Sequence, residues 1–333
     1  MENLQIFPSS KANSTGLPGW SVFNFQFLAQ GDSWFSTSTL KGKRSNVLEN
    51  MVFPQAAAVV NCAAPGDTLT HMVDLRRDPL FNSLLCGPKQ QPWTAIFLSG
   101  GGNDLIDAVQ TPPVSGGAPV TPHDRLLLTQ QEWGGPFADP ANRYISAEGW
   151  DVFRTHLLQQ YRILDSLRAQ SKDNAQTPIF THTYDYATPR DSGAGFNLGP
   201  WLLPALTLYE IPSKDWNALA DAFIDKLSDI ITGIGQQLPN FHVIDTRKTL
   251  VRAAIGATGV SNDWENEIHA TAGGYGKIGD VMVPRICPVI GMTGAPTFAD
   301  VTTPASPPIA VPAPLAAAAQ QDGQGQPDTR TNP

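Results

Sequence analysis

Phe23, Phe25 and Phe27 fall on every second position and lead through Leu28 and Ala29 to Gly31, which predicts a strand ending in a turn. Four further short apolar runs follow: AAAVVNC (56–62), WTAIFL (93–98), PIFTHTY (178–184) and FHVID (241–245). Runs of this length with apolar residues on both faces suit buried parallel strands. Between the third and fourth of these five runs, Phe153, Leu157, Tyr161 and Leu164 make a helical stripe. Between the fourth and fifth, Trp216, Leu219, Phe223, Leu227, Ile230 and Ile234 make a second one. Ser213 is the expected cap of that second helix, with Asp215 in its first turn. Alternating strands and helices predict an α/β fold, with a parallel sheet covered by helices on both faces.

Two long segments interrupt this alternation. Residues 107–146 are rich in Pro, Gly and polar groups, and residues 190–212 are apolar but broken by Pro200 and Pro204. Loops this long in a compact domain are commonly functional covers. From residue 295 the composition turns to Pro, Ala, Gln and Gly with few large apolar side chains, which cannot repay ordering entropy by burial. The expected organisation is therefore an N-terminal segment (1–20), one catalytic-sized domain (21–294) and a disordered tail (295–333).

The formal charge is −8, from 22 Lys+Arg against 30 Asp+Glu. This excludes the clustered positive charge of a nucleic-acid groove or polybasic membrane anchor. Cys62, Cys86 and Cys287 are too few and too scattered for a disulfide framework or a metal site, and read as small buried hydrophobes. No apolar run is long enough for a transmembrane helix. The first residues lack the basic start and apolar run of a secretory signal, so a cytoplasmic location is the default expectation, with leaderless export as the alternative.

Candidate chemistry lies just after four of the strands, at the sheet edge where ligands bind in open α/β folds. AQGDSWF (29–35) places Ser33 past a strand end, with Asp32 as an anchor of the turn. No serine has the G-x-S-x-G spacing of the α/β-hydrolase elbow. NCAAPGDTL (61–69) puts Gly66 in a turn, where a residue without Cβ lets backbone approach a ligand. LSGGGNDL (98–105) lacks the Lys-Ser/Thr of a phosphate loop and the spacing of a dinucleotide fold, and presents Asn103, a neutral donor suited to an oxyanion. SNDWENEIHATAGGYGKIGD (261–280) carries His269 among carboxylates, in a loop beyond the fifth strand. His71, His123 and His156 read as surface residues, and His182 and His242 as histidines satisfied within strands.

In the order Ser33, Gly66, Asn103, His269, these segments resemble the four blocks of the SGNH (GDSL) hydrolases: G-D-S at 31–33, N-x-x-x-x-G-D-T at 61–68, G-G-N-D at 101–104 and I-H-A-T-x-x-G-Y at 268–275. The resemblance spans roughly residues 23–285. It implies a flavodoxin-like three-layer sandwich with a five-stranded parallel sheet, a shallow site without metal or cofactor, and hydrolysis of carboxylic esters by Ser33 and His269. The oxyanion would be held by the N–H groups of Ser33 and Gly66 and the amide of Asn103. The implied substrate is a small-molecule or acylated-glycan ester. Carbohydrate deacetylation or acyl transfer, and a non-catalytic binding module on the same fold, are the alternatives. The family's aspartate three residues before the histidine is here Asn266. Either Asn266 accepts from the ring, or Asp263 or Glu267 supplies the charge, and Asp263 is the expected source. Ala270 stands where the family often has proline.

Overall fold

Short apolar runs become strands because a parallel sheet buries both faces of each strand. The computed structural model describes residues 2–13, 19–36, 45–74, 76–136 and 138–294, and the tail expected from residue 295 lies outside them. The strands are β1 (Glu2–Asn3), β2 (Gln5–Pro8), β3 (Phe25–Gly31), β4 (Val52–Phe53), β5 (Ala57–Asn61), β6 (Ala95–Ser99), β7 (Val114–Ser115), β8 (Ala118–Pro119), β9 (Ile179–His182) and β10 (Phe241–Ile244). The helices are α1 (Leu69–Val73), α2 (Pro79–Leu85), α3 (Gly102–Val109), α4 (Pro140–Tyr144), α5 (Ala147–Gln170), α6 (Leu203–Leu208), α7 (Trp216–Gln237) and α8 (Ala272–Val289).

The central sheet runs β10-β9-β6-β3-β5-β2 and is parallel throughout. It has six strands, one more than the resemblance implied. The extra strand, β2, comes from the N-terminal segment, which the sequence reading had set apart from the domain. Its Pro8 has no N–H to donate and is tolerated because β2 lies on the edge.

Register separates the two faces. Phe27, Phe97 and Phe180 lie on one face, where Phe53 packs on Phe27 and Phe97 with ring centroids 5.4 and 6.5 Å apart. The segment holding Phe53 packs in turn against α8. Phe241, the first residue of β10, has the opposite parity to Phe180 and meets Tyr161 of α5 at 5.8 Å, on the other face. Helix α5 packs against α7, so the sheet is covered on both sides.

Both predicted helical stripes are buried, Phe153 to Leu164 in α5 and Leu219 to Ile234 in α7. Ser213 does not cap α7. It opens a 3-10 turn (Ser213–Asp215), and the Asp215 carboxylate accepts from the Tyr144 hydroxyl at 2.6 Å instead. Cys287 is buried as expected, Cys62 and Cys86 are half-buried, and all three are free thiols.

Segment 190–212 is fastened over the sheet edge by buried charge. Glu267, fully buried, accepts the backbone N–H groups of Arg190, Leu202 and Leu203 at 3.1, 2.8 and 2.9 Å, and that of Trp201 as well. The Arg190 guanidinium donates to the carbonyls of Ala257, Gly259 and Asn266. The two side chains thus bind this cover to the loop that carries His269. Segment 107–146 takes another course, packing on the start of α5, where Ser146 Oγ donates to the Pro122 carbonyl at 2.5 Å.

Glu267→Gln replaces one of these acceptor oxygens with an amide that faces N–H donors. We expect a loss of about 1–3 kcal/mol in unfolding free energy, measured by urea titration, with faster proteolysis within 190–212.

Candidate active site

The turn after β3 is built by close approach to its neighbour strand. A Cβ on Gly31 would lie 2.8 Å from Ser99 Cβ and 2.9 Å from its carbonyl oxygen, so the glycine is required by strand packing and not by the turn's backbone angles. Asp32 then folds inward, only 2% exposed. Its Oδ1 accepts from Trp34 N–H at 2.9 Å and Ser99 Oγ at 2.8 Å, and its Oδ2 accepts from the Tyr184 hydroxyl at 2.7 Å. Burial pushes the Asp32 carboxyl up to about 6, while these three donors pull it back. With every donor committed to shaping the turn, Asp32 anchors it, as the sequence implied.

Behind Asp32 the polar chain continues. Tyr184 N–H donates to His182 Nδ1 at 3.2 Å, so the proton of that ring belongs on Nε2, which donates to Ser99 Oγ at 3.0 Å. Burial holds the His182 ring neutral, with its pKa lowered to about 3. His182 is therefore a satisfied strand histidine, as read from the sequence. Tyr184 was not foreseen. It sits at φ 62°, a left-handed conformation that turns the chain just after β9, and nothing in the apolar run marks that turn.

Ser33 Oγ lies 2.7 Å from His269 Nε2, across 236 positions of sequence. The ring's other nitrogen, Nδ1, is 2.9 Å from Asn266 Oδ1. Asp263, the expected source of charge, is elsewhere: its Oδ2 accepts from Lys277 Nζ and from Val251 N–H, both at 2.6 Å. Those donors hold its carboxyl below the usual range despite burial. Glu267 is committed to the cover segment, as described above. The group on the ring is thus the neutral amide of Asn266, and the expectation of Asp263 is corrected. A carboxylate already neutralised by a lysine and a backbone N–H has no reason to leave them.

The turns that carry Ser33, Gly66 and Asn103 are tied to one another by hydrogen bonds, though Gly66 itself is exposed and outside the lining of the cavity beside Ser33. Ala64 N–H donates to the Gly31 carbonyl at 2.9 Å, Leu69 N–H to Asp104 Oδ2 at 3.0 Å, and Asn103 Nδ2 to the Asp67 carbonyl at 2.9 Å. Gly66, at φ 81°, uses the left-handed conformation open to glycine. Among the described residues, no protein acceptor takes the backbone N–H of Ser33 or Gly66. Asp104 turns inward as the acceptor for Leu69, leaving Asn103 as the polar side chain of its segment that lines the cavity beside Ser33.

The site is recessed, where the resemblance implied a shallow one. Ser33 is 7% and His269 4% exposed, and the Trp201 ring stands edge-on to the imidazole at 5.2 Å and 85°. Burial with no charged partner lowers the His269 pKa to about 3. A cavity of about 60 Å³ opens beside Ser33, with Leu202, Phe223, Ala220 and Ile268 among its apolar lining. Segment 190–212 contributes Leu202 to that wall, whereas 107–146 contributes nothing. Among the described residues there is no cluster of metal-ligating side chains, and no helix is long and apolar enough to cross a membrane.

No family model and no curated protein sequence matches this chain. Solved structures do resemble it. A lipase from a goat rumen metagenome is 13% identical, with a TM-score of 0.45 over 81% of this chain and 98% of its own. An extracellular lipase from Streptomyces rimosus is 15% identical, with a TM-score of 0.43 over 80% and 99%. A carbohydrate acetylesterase from Sinorhizobium meliloti is 10% identical, with a TM-score of 0.42 over 80% and 100%. These three are described as two lipases and a carbohydrate acetylesterase.

Proposed function

We propose that this protein is a serine hydrolase of the SGNH type that cleaves carboxylic esters. The observation that carries this reading is the 2.7 Å contact between Ser33 Oγ and His269 Nε2, beside a cavity whose lining includes Asn103. Neutral His269 takes the Ser33 proton as the hydroxyl attacks the ester carbonyl. The N–H groups of Ser33 and Gly66 and the amide of Asn103 hold the developing oxyanion. The imidazolium then returns its proton to the departing alcohol. Water, deprotonated by the same ring, hydrolyses the acyl-enzyme. A binding module would have no use for a buried hydroxyl held against a neutral imidazole, so the geometry favours turnover.

The cavity beside Ser33 supports the acyl assignment, because it places an apolar wall next to the hydroxyl. Apolar walls of Leu202, Phe223 and Ile268 suit a hydrocarbon and offer nothing to a charged acyl group. Phe223→Ala should raise the octanoate-to-acetate ratio of kcat/KM for p-nitrophenyl esters by about tenfold, and an unchanged ratio would remove this cavity from the acyl site.

Ser33→Ala should abolish both p-nitrophenyl acetate hydrolysis and labelling by a fluorophosphonate probe while leaving the circular dichroism spectrum intact. Wild-type signals in both assays would reject the nucleophile.

The base must be neutral to act, and its pKa is lowered, so activity is retained as pH falls through the ordinary histidine range. The acid limb of kcat/KM should lie well below pH 6.5, and a limb at or above 6.5 would contradict the buried, uncharged surroundings of the ring.

A further inference from the structure

We infer that Asn266 is a positioning residue that locks the His269 ring in the tautomer with its proton on Nδ1, so that the Ser33–His269 pair operates with a neutral third member. This rests on the hydrolase reading for its consequences in rate, but the lock itself is a matter of hydrogen-bond direction. Asn266 Oδ1 receives three contacts: from the backbone N–H of Ile268 at 3.2 Å, from the backbone N–H of His269 at 2.9 Å, and from the ring Nδ1 at 2.9 Å. A backbone N–H can only donate. The atom facing both of them must therefore be the amide oxygen, because the amide nitrogen there would set donor against donor twice.

The oxygen's identity decides the ring. An atom that can only accept requires Nδ1 to carry hydrogen, which leaves Nε2 with its lone pair toward Ser33 Oγ. That is the form that can take the serine proton. In the serine-protease template, an asparagine in place of the orienting aspartate costs about 10⁴ in turnover through the wrong tautomer. An amide held by the ring alone is free to turn its nitrogen toward Nδ1. Here the two backbone donors prevent that rotation.

The lock carries no charge. Asn266 is 1% exposed, and its Nδ2 has no hydrogen-bond partner among the described residues. The ionisable groups around the ring are engaged elsewhere. Glu267 is occupied by four backbone N–H groups and Arg190 by three carbonyls. Asp32 is bound by Trp34, Ser99 and Tyr184, and Asp263 is paired with Lys277. When His269 accepts the serine proton, the bond from Nδ1–H to Asn266 Oδ1 persists, and among the described residues no carboxylate is hydrogen-bonded to or paired with the ring. The step balances as one proton moved from Oγ to Nε2, with the negative charge passing to the carbonyl oxygen.

Two measurements test this. Nitrogen-15 NMR of the histidine-labelled protein, with His269 assigned by the signal missing in His269→Gln, should show a protonated Nδ1 and an unprotonated Nε2 at neutral pH. The reverse pattern overturns the lock, and it does so whether or not the protein hydrolyses any ester. The pH dependence of fluorophosphonate labelling and of kcat/KM for p-nitrophenyl acetate then compares three proteins. In Asn266→Asp the acid limb should move to higher pH by about one unit or more, because a carboxylate would now stabilise the imidazolium. In Asn266→Ala, kcat should fall by about 10²-fold or more with KM little changed. An acid limb identical in wild type and Asn266→Asp would overturn the neutral third member. Absence of labelling in the wild type at every pH would reject the hydrolase reading while leaving the tautomer result standing.

Discussion

A hydroxyl at position 33 and an imidazole at position 269 share a hydrogen bond only while two loops from distant parts of the chain are held still against each other. A misplacement of about 1 Å at such a pair costs orders of magnitude in rate, so the scaffold must fix both ends. One end is fixed by Asp32, whose buried carboxylate binds the turn of Ser33 to Ser99 and Tyr184. The other is fixed by Glu267 and Arg190, which bind the His269 loop to segment 190–203 through backbone groups alone. Neither device touches Ser33 Oγ or the His269 ring, yet the pair exists because of them.

Both devices place charge in the interior, where an unpaired ion is expensive. The structure satisfies each with several directed hydrogen bonds, four on Glu267 and three on Asp32. Such networks contribute less to stability than to uniqueness. A hydrophobic cluster tolerates shifts of a few tenths of an ångström, whereas a carboxylate fixed by several N–H donors does not. The same burial that makes these groups costly lowers the His269 pKa, and the Trp201 ring stands edge-on against the imidazole.

Much of this was legible in the chain. The alternation from Phe23 to Gly31 and the runs at 56–62, 93–98, 178–184 and 241–245 announced five of the six central strands, and the stripes on α5 and α7 were plain, because burial imposes periods of 2 and 3.6 on composition. The edge strand Gln5–Pro8 was missed because an edge strand is half exposed and four residues long, too short to show a period. Ser33 and His269 were found from their place after strands. The partner of the ring was not, since Asp263, Asn266 and Glu267 lie within five positions, and spacing cannot say which side chain turns inward.

What the sequence determined by itself was the sheet, the helices that cover it, and the short list of polar residues at its C-terminal edge, since these follow from local pattern and chain order. Only the tertiary structure decided that Asn266 and not Asp263 meets His269, that Glu267 serves the cover segment, that Tyr184 supports Asp32, and that the site is recessed. Each of those outcomes is a choice among competing partners for a buried donor or acceptor. That choice depends on directions and distances between segments far apart in sequence, which no local pattern encodes.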